Sequence, residues 1–203
     1  MRRQLTADDI TEVTQLVLRE RQSRVRAVPD QLRDCFHPDA TVTTSWMSSS
    51  VDQFIADSVA SAGRNRAPVV NRLGGPVIRL AGMRGTAELP STTMHWIPVN
   101  GTEAVLSSFM RLLYRVERRE GVWRISSLVA VNESDTLEPA VPGTELGIGP
   151  QALTGLRHSY RFLAYTRALS GGTISQELYG TDRKEAVDVL YADDAAWLRS
   201  ADG

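Results

Sequence analysis

Twenty-three basic and 24 acidic side chains, interspersed along 203 residues, leave a net charge of −1. A chain of this length builds one domain, or one domain with an appendage, and its even charge argues against a basic nucleic-acid face and an acidic tail. The start, MRRQLTADDI, passes from base to acid with no apolar core, no apolar run approaches the ~20 residues of a membrane span, and Cys35 stands alone. A secretory leader, a membrane partner, an internal disulfide and a cysteine metal cluster are therefore not expected, and the cytoplasm is the expected compartment.

The first helix follows Thr6, a side chain suited to cap it, with Asp8 and Asp9 in the first turn, where the helix dipole favours acids. Ile10, Val13, Leu16 and Val17 recur at helical spacing, and the pattern fades into polar sequence over 19–26. Pro29 opens a short second helix over 30–36. His37-Pro38-Asp39 reads as a turn, because the residue before a proline avoids the helical region. The β-branched stretch 40–46 reads as a strand ending at Trp46. A loop over 48–51 leads to a third helix over 52–62. Segments 69–75, 77–80, 86–89 and 92–99 read as strands broken by glycine and proline.

Residues 104–131 form the centre of the chain, two long strands joined at Arg119-Glu120-Gly121, where Gly121 can supply a positive φ. Phe109, Arg111, Leu113 and Arg115 share one face; Met110, Leu112, Tyr114 and Val116 share the other. Bulk on both faces predicts a central hairpin covered by helix. The proline- and glycine-rich stretch 137–150 reads as a connector, 151–169 as a helix, and a last helix carries Val187, Leu190 and Leu198. Helices first, then a bent sheet, then a helical pair is the α+β order. The expected division is 1–136 for the sheet domain, 137–150 for the connector and 151–203 for the helical extension.

Cys35-Phe36-His37-Pro38-Asp39-Ala40-Thr41-Val42 after an amphipathic helix resembles the entry to the first strand in the SnoaL-like group of the nuclear-transport-factor-2-like superfamily. Phe54-Ile55, Arg111 followed by Glu117 through Ile125, and Asp135-Thr136-Leu137-Glu138-Pro139-Ala140 fit in the same order. Arg157-His158-Ser159-Tyr160 with Gly180-Thr181-Asp182-Arg183 resembles the helical extension of longer members. The resemblance implies a cone: a curved mixed sheet with N-terminal helices closing an apolar pocket, plus two C-terminal helices. It also implies a cofactor-independent cyclase, dehydratase or isomerase working by proton transfer on a small polyketide-like, aromatic or terpenoid molecule. A non-catalytic binding or dimerising module is the alternative, and a homodimer through the sheet face is expected.

Catalytic relatives place an acid or a histidine inside the cone. His95 is similar in position to such a histidine and is the expected general acid/base, against a structural or interface role. Dehydratase-type relatives carry an aspartate late in the first helix; here that neighbourhood reads Arg24-Val25-Arg26. Arg111 points either into the cone, steadying an enolate, or outward beside Arg115 with an acid such as Glu88. Tyr114 could donate to a carbonyl or pack under a helix. Trp46, Trp96 and Phe109 are the expected apolar walls. Asp39 and His37 read as turn residues, and His158 as an exposed or interface residue. No cofactor is expected: no histidine and carboxylate cluster has metal-ligand spacing, and Gly74-Gly75-Pro76 lacks the setting of a phosphate loop.

Overall fold

A computed structural model describes residues 7–45, 47–64 and 69–200, with backbone alone at 47 and 61–64. Trp46, the expected pocket wall, lies outside the described residues. The order is α1 (Ala7–Val25), α2 (Pro29–Asp34), β1 (Phe36–Thr44), β2 (Met47–Ser50), α3 (Val51–Arg64), β3 (Val70–Leu73), β4 (Val77–Ala81), β5 (Arg84–Val99), β6 (Thr102–Arg119) and β7 (Val122–Pro139). Two short 3-10 turns follow, Pro150–Leu153 and His158–Tyr160, and then α4 (Arg161–Leu169) and α5 (Lys184–Arg199). This is an α+β cone with one unclosed sheet ordered β2-β1-β7-β6-β5-β3, β4 also pairing with β5.

The long hairpin sets the curvature. Glu120 and Gly121 both have positive φ, 52° and 83°, which matches the right-handed twist of the strands they join. Register slips between Phe109 and Met110 and between Arg115 and Val116 give β7 an extra residue at each place, and such bulges bend a sheet. β1 joins the other side of β7 in parallel, a mixed sheet as expected.

Several local expectations give way. His37-Pro38-Asp39 is not a turn but part of β1, inside a bulge that spans Phe36 to Thr41. There the ladder needs no donor from Pro38, so the strand can carry it. The serine-rich loop before α3 is the edge strand β2, paired with β1. The two strands expected on either side of Pro90 are one, because Pro90 falls between the stretch paired with β4 and the stretch paired with β3. The helix expected over 151–169 is helical only from Arg161; Gly155, at φ 77°, breaks it. β7 also runs on to Pro139, into the expected connector.

The two sheet faces divide the protein. On the concave face Leu89, Leu112, Ile125 and Leu128 pack against Val13, Leu16 and Val17 of α1 and Phe54 of α3. Each buried aliphatic side chain there contributes about 1.5–3 kcal/mol. On the convex face Leu113 and Val131 receive Val187 and Leu190 of α5. A third cluster, Val99, Ala104 and Tyr165 with Leu146, Ile148 and Leu153, closes the far end of the β5–β6 hairpin. The two C-terminal helices therefore lie on opposite sides of the sheet.

Candidate functional site

The concave face widens beyond its apolar floor into a cavity that opens to solvent at its mouth. Register decides which side chains reach it. Thr93 stands opposite Ser108, and Ser108 opposite Asp135, across β5, β6 and β7; two residues nearer the β5–β6 turn, His95 stands opposite Leu106. Thr93, His95, Ser108, Met110 and Leu112 line the cavity from the sheet, while Arg21, Arg24 and Val25 line it from α1. Thr44 and Ser45 complete one side, Val69 and Asn71 another, and Leu163 of α4 reaches the wall from the C-terminal segment.

His95 is half-buried there, and burial, reinforced by the charge of Arg24, lowers its pKa to about 4. The imidazole is therefore neutral near pH 7. Its wall neighbours include polar atoms shut off from water and without a partner among the described residues: Thr44 Oγ1, Ser108 Oγ and both amide atoms of Asn71. In a finished core such atoms are rare, because each costs about the desolvation of its group.

α1 supplies the charge. Glu20 is fully inaccessible and binds Arg21 through both Nε and Nη2, while its Oε2 accepts the Tyr114 hydroxyl at 3.0 Å. Burial alone would lower Arg21, but Glu20 and Tyr114 hold it above its ordinary value. Arg24 lies with its guanidinium carbon 5.3 Å from the centre of the Phe54 ring. Burial and the neighbouring Arg21 lower it to about 10, so it stays protonated at neutral pH. Asp135, buried beside Ser108, caps α4: its Oδ2 accepts the backbone N–H of Leu163 at 2.7 Å, and burial raises its pKa.

The residues singled out from sequence do not all meet. His95 lines the cavity. Tyr114 lies beneath it, fully buried, its phenol pushed well above the ordinary value by burial and engaged with Glu20. Arg111 takes the outward alternative: its Nη1 donates to Tyr191 of α5 at 2.6 Å and its Nε stands 2.9 Å from Glu133. Phe109 and Trp96 alternate with Ser108 and His95 and so face the outer side, half-exposed. His37 is buried, its Nε2 3.0 Å from the Glu117 carbonyl oxygen, and Asp39 pairs with Arg119 at 2.7 Å.

Arg21 and Arg24 line the cavity although neither is among the expected site residues. A signal was present, since Val13, Val17, Arg21 and Arg24 continue one helical spacing of four, four and three. The stripe turns from apolar to cationic where it meets the cavity. Among the described residues no group of three His, Cys, Asp or Glu side chains is arranged to hold a metal ion. No described helix is long and apolar enough to cross a membrane.

A model of the SnoaL-like domain matches residues 5–129. An uncharacterised protein of Emericella nidulans is 27% identical over 184 residues, 83% of this chain and 77% of its own length. Among solved structures, a hexachlorocyclohexane dehydrochlorinase (LinA) type 2 superposes with a TM-score of 0.58 at 13% identity, covering 70% of this chain and 96% of that one. A putative scytalone dehydratase from Novosphingobium aromaticivorans gives 0.55 at 10% identity, covering 70% and 95%. The Kfla4162 protein of Kribbella flavida gives 0.52 at 18% identity, covering 66% and 92%. At such identities the three structures speak for the fold.

Proposed function

The chain belongs to the SnoaL-like domain family, and on that footing we propose that it is a cofactor-independent cyclase, dehydratase or isomerase that moves a proton with His95. The observation that carries the reading is a neutral imidazole in the wall of a cavity whose other polar atoms await a partner. A neutral histidine can take a proton from carbon beside a carbonyl. Ser108 and Asn71 can donate to the oxygen on which negative charge then develops, a role sequence alone offered to Arg111 and Tyr114. The apolar wall fits a small polyketide-like, aromatic or terpenoid ligand, a chemistry in keeping with a dehydratase and a dehydrochlorinase among the proteins of like fold.

The test is turnover of such carbonyl compounds by wild type and by His95→Ala. The variant should lose roughly 10²–10⁴ in rate while keeping most of its ligand affinity. An unchanged rate would remove His95 from the mechanism. The second reading, a binding module, is favoured by one observation: among the described residues no Asp or Glu lines the cavity to orient His95. Ligands bound but never altered by wild type would favour it.

We also propose a homodimer through the part of the outer sheet that α5 leaves open, where Met94, Trp96, Val105 and Phe109 stand half-exposed. Sedimentation at the monomer mass across micromolar concentrations would refute it.

A further inference from the structure

One polar row crosses the concave face. Asn71 of β3 stands opposite Thr93 of β5, Thr93 opposite Ser108 of β6, and Ser108 opposite Asp135 of β7. Three strand spacings make the row about 14 Å long. The next row toward the β5–β6 turn runs from His95 to Leu106 and Leu137. Within the polar row the needs differ. Asp135 commits Oδ2 to the Leu163 N–H, and its Oδ1 has the Ser108 hydroxyl as a cross-strand neighbour. Asn71 has less recourse, because β3 ends the sheet. Its amide oxygen and its amide nitrogen are both buried without a partner among the described residues, and the single hydroxyl of Thr93 can answer one of them, not both. The residue as a whole is half-buried and borders the cavity. Rotation about its broad terminal torsion sets the amide edge toward the space above Thr93.

A carboxamide carries its acceptor and its donors on one carbon. The partner that satisfies both at once therefore presents an acceptor and a donor side by side on one edge. A ketone, an ester or a carboxylate only accepts. An open-chain secondary amide in its trans form turns its N–H and C=O to opposite edges, whereas a small ring holds them on the same edge. Val69, Met110, Leu112, Ala130 and Leu163 add a wall that suits an apolar body. We propose that the ligand is a planar ring amide, a lactam, whose N–H donates to the Asn71 amide oxygen and whose carbonyl oxygen accepts from the Asn71 amide nitrogen. The Ser108 hydroxyl, two strands away in the same row, donates to the second lone pair of that carbonyl. His95 shares the face two residues along β5 from Thr93, about 7 Å, so a carbonyl held above Thr93 is presented to the imidazole. The proposal deepens the proton-transfer reading of the same cavity and rests on it for the identity of the site.

The experiment compares 2-quinolinone with coumarin, two probes of one shape that differ by a ring N–H against a ring oxygen, by titration calorimetry. An apolar slot favours coumarin, which has no donor to desolvate. Wild type should instead bind 2-quinolinone roughly ten- to a hundredfold tighter, the range for one hydrogen bond gained and one buried acceptor no longer left unmatched. Asn71→Leu removes both amide atoms at similar volume and should bring the two probes to within about threefold of each other, or reverse their order, with coumarin binding little changed. Equal binding by wild type, tighter binding of coumarin, binding of neither probe, or an undiminished preference in Asn71→Leu would overturn the proposal. If Asn71→Leu does not fold, Asn71→Ala, which adds no bulk, decides in its place. The two readings fail separately. An Asn71-dependent lactam preference without turnover of any compound by wild type contradicts the catalytic role of His95 and leaves the lactam site standing. His95-dependent turnover with no lactam preference does the reverse.

Discussion

Glu20→Gln tests the buried charge arrangement most severely. The native carboxylate is fully inaccessible, grips Arg21 through two nitrogens, and accepts the Tyr114 hydroxyl at 3.0 Å. Glutamine keeps the shape but removes the charge, and it turns one acceptor into an N–H group aimed at a guanidinium. Removing one partner of a buried pair costs about 3–5 kcal/mol, because the other charge is left without compensation. In a chain of this size each kcal/mol moves Tm by about 2–4 °C, so the expected fall is about 6–20 °C. Tyr114→Phe is the control: it deletes one hydrogen bond to a charged group and should cost only about 1.5–3 kcal/mol. Chemical denaturation and calorimetry read both. A variant within about 1 kcal/mol of wild type would refute the reasoning.

Two pH effects follow from groups whose pKa folding lowers. Folding lowers His95 to about 4, below the ~6.5 of an unfolded histidine, so between those values the unfolded chain binds more protons. The stability His95 allows above pH 6.5 is lost as pH falls toward 4, and the gap between wild type and His95→Gln should shrink across that window; a gap that stays constant from pH 7 to 4 would contradict it. Asp182 behaves as a depressed carboxylate. Burial would raise it, but hydrogen bonds from Arg157 and Ser159 outweigh that and bring it to about 2. Its contribution is present above the ~3.9 of an unfolded aspartate and lost as pH falls toward 2. Asp182→Asn should therefore destabilise at pH 7 and cost progressively less on acidification, measured by denaturant unfolding of both proteins; a cost that grows as pH falls would count against the Arg157–Asp182 clamp.

The architecture was legible because it rests on repeating patterns. The stripe from Val13 to Val17, the alternation from Phe109 to Val116 and the glycine at 121 each report local geometry directly. What sequence could not supply was the partner of each strand. Pro90 looks like an interruption until the pairing shows that its missing N–H falls between β4 and β3. Ser48-Ser49-Ser50-Val51 reads as a loop until β1 lies beside the strand Met47–Ser50. The site was harder for the same reason. Whether Arg111 or Leu112 faced inward depended on a register that a one-residue slip would reverse, and α5, remote in sequence, holds Arg111 on the outer side through Tyr191. Glu20, Arg21 and Arg24 were hidden by composition: a run of charges ordinarily marks a solvated helix face, and here the face is buried against Tyr114 and Phe54.

The central claim is that His95 moves a proton at carbon, and isotope exchange tests it before the natural reaction is known. Wild type and His95→Gln would be incubated in D₂O with a set of aromatic and polyketide-like keto acids, and loss of the hydrogen beside the carbonyl followed by proton NMR. Wild type should speed exchange in at least one compound, and His95→Gln should reduce that acceleration by roughly 10²–10⁴ while still binding it. Equal acceleration by both proteins, or none by wild type in compounds it binds, would contradict the account.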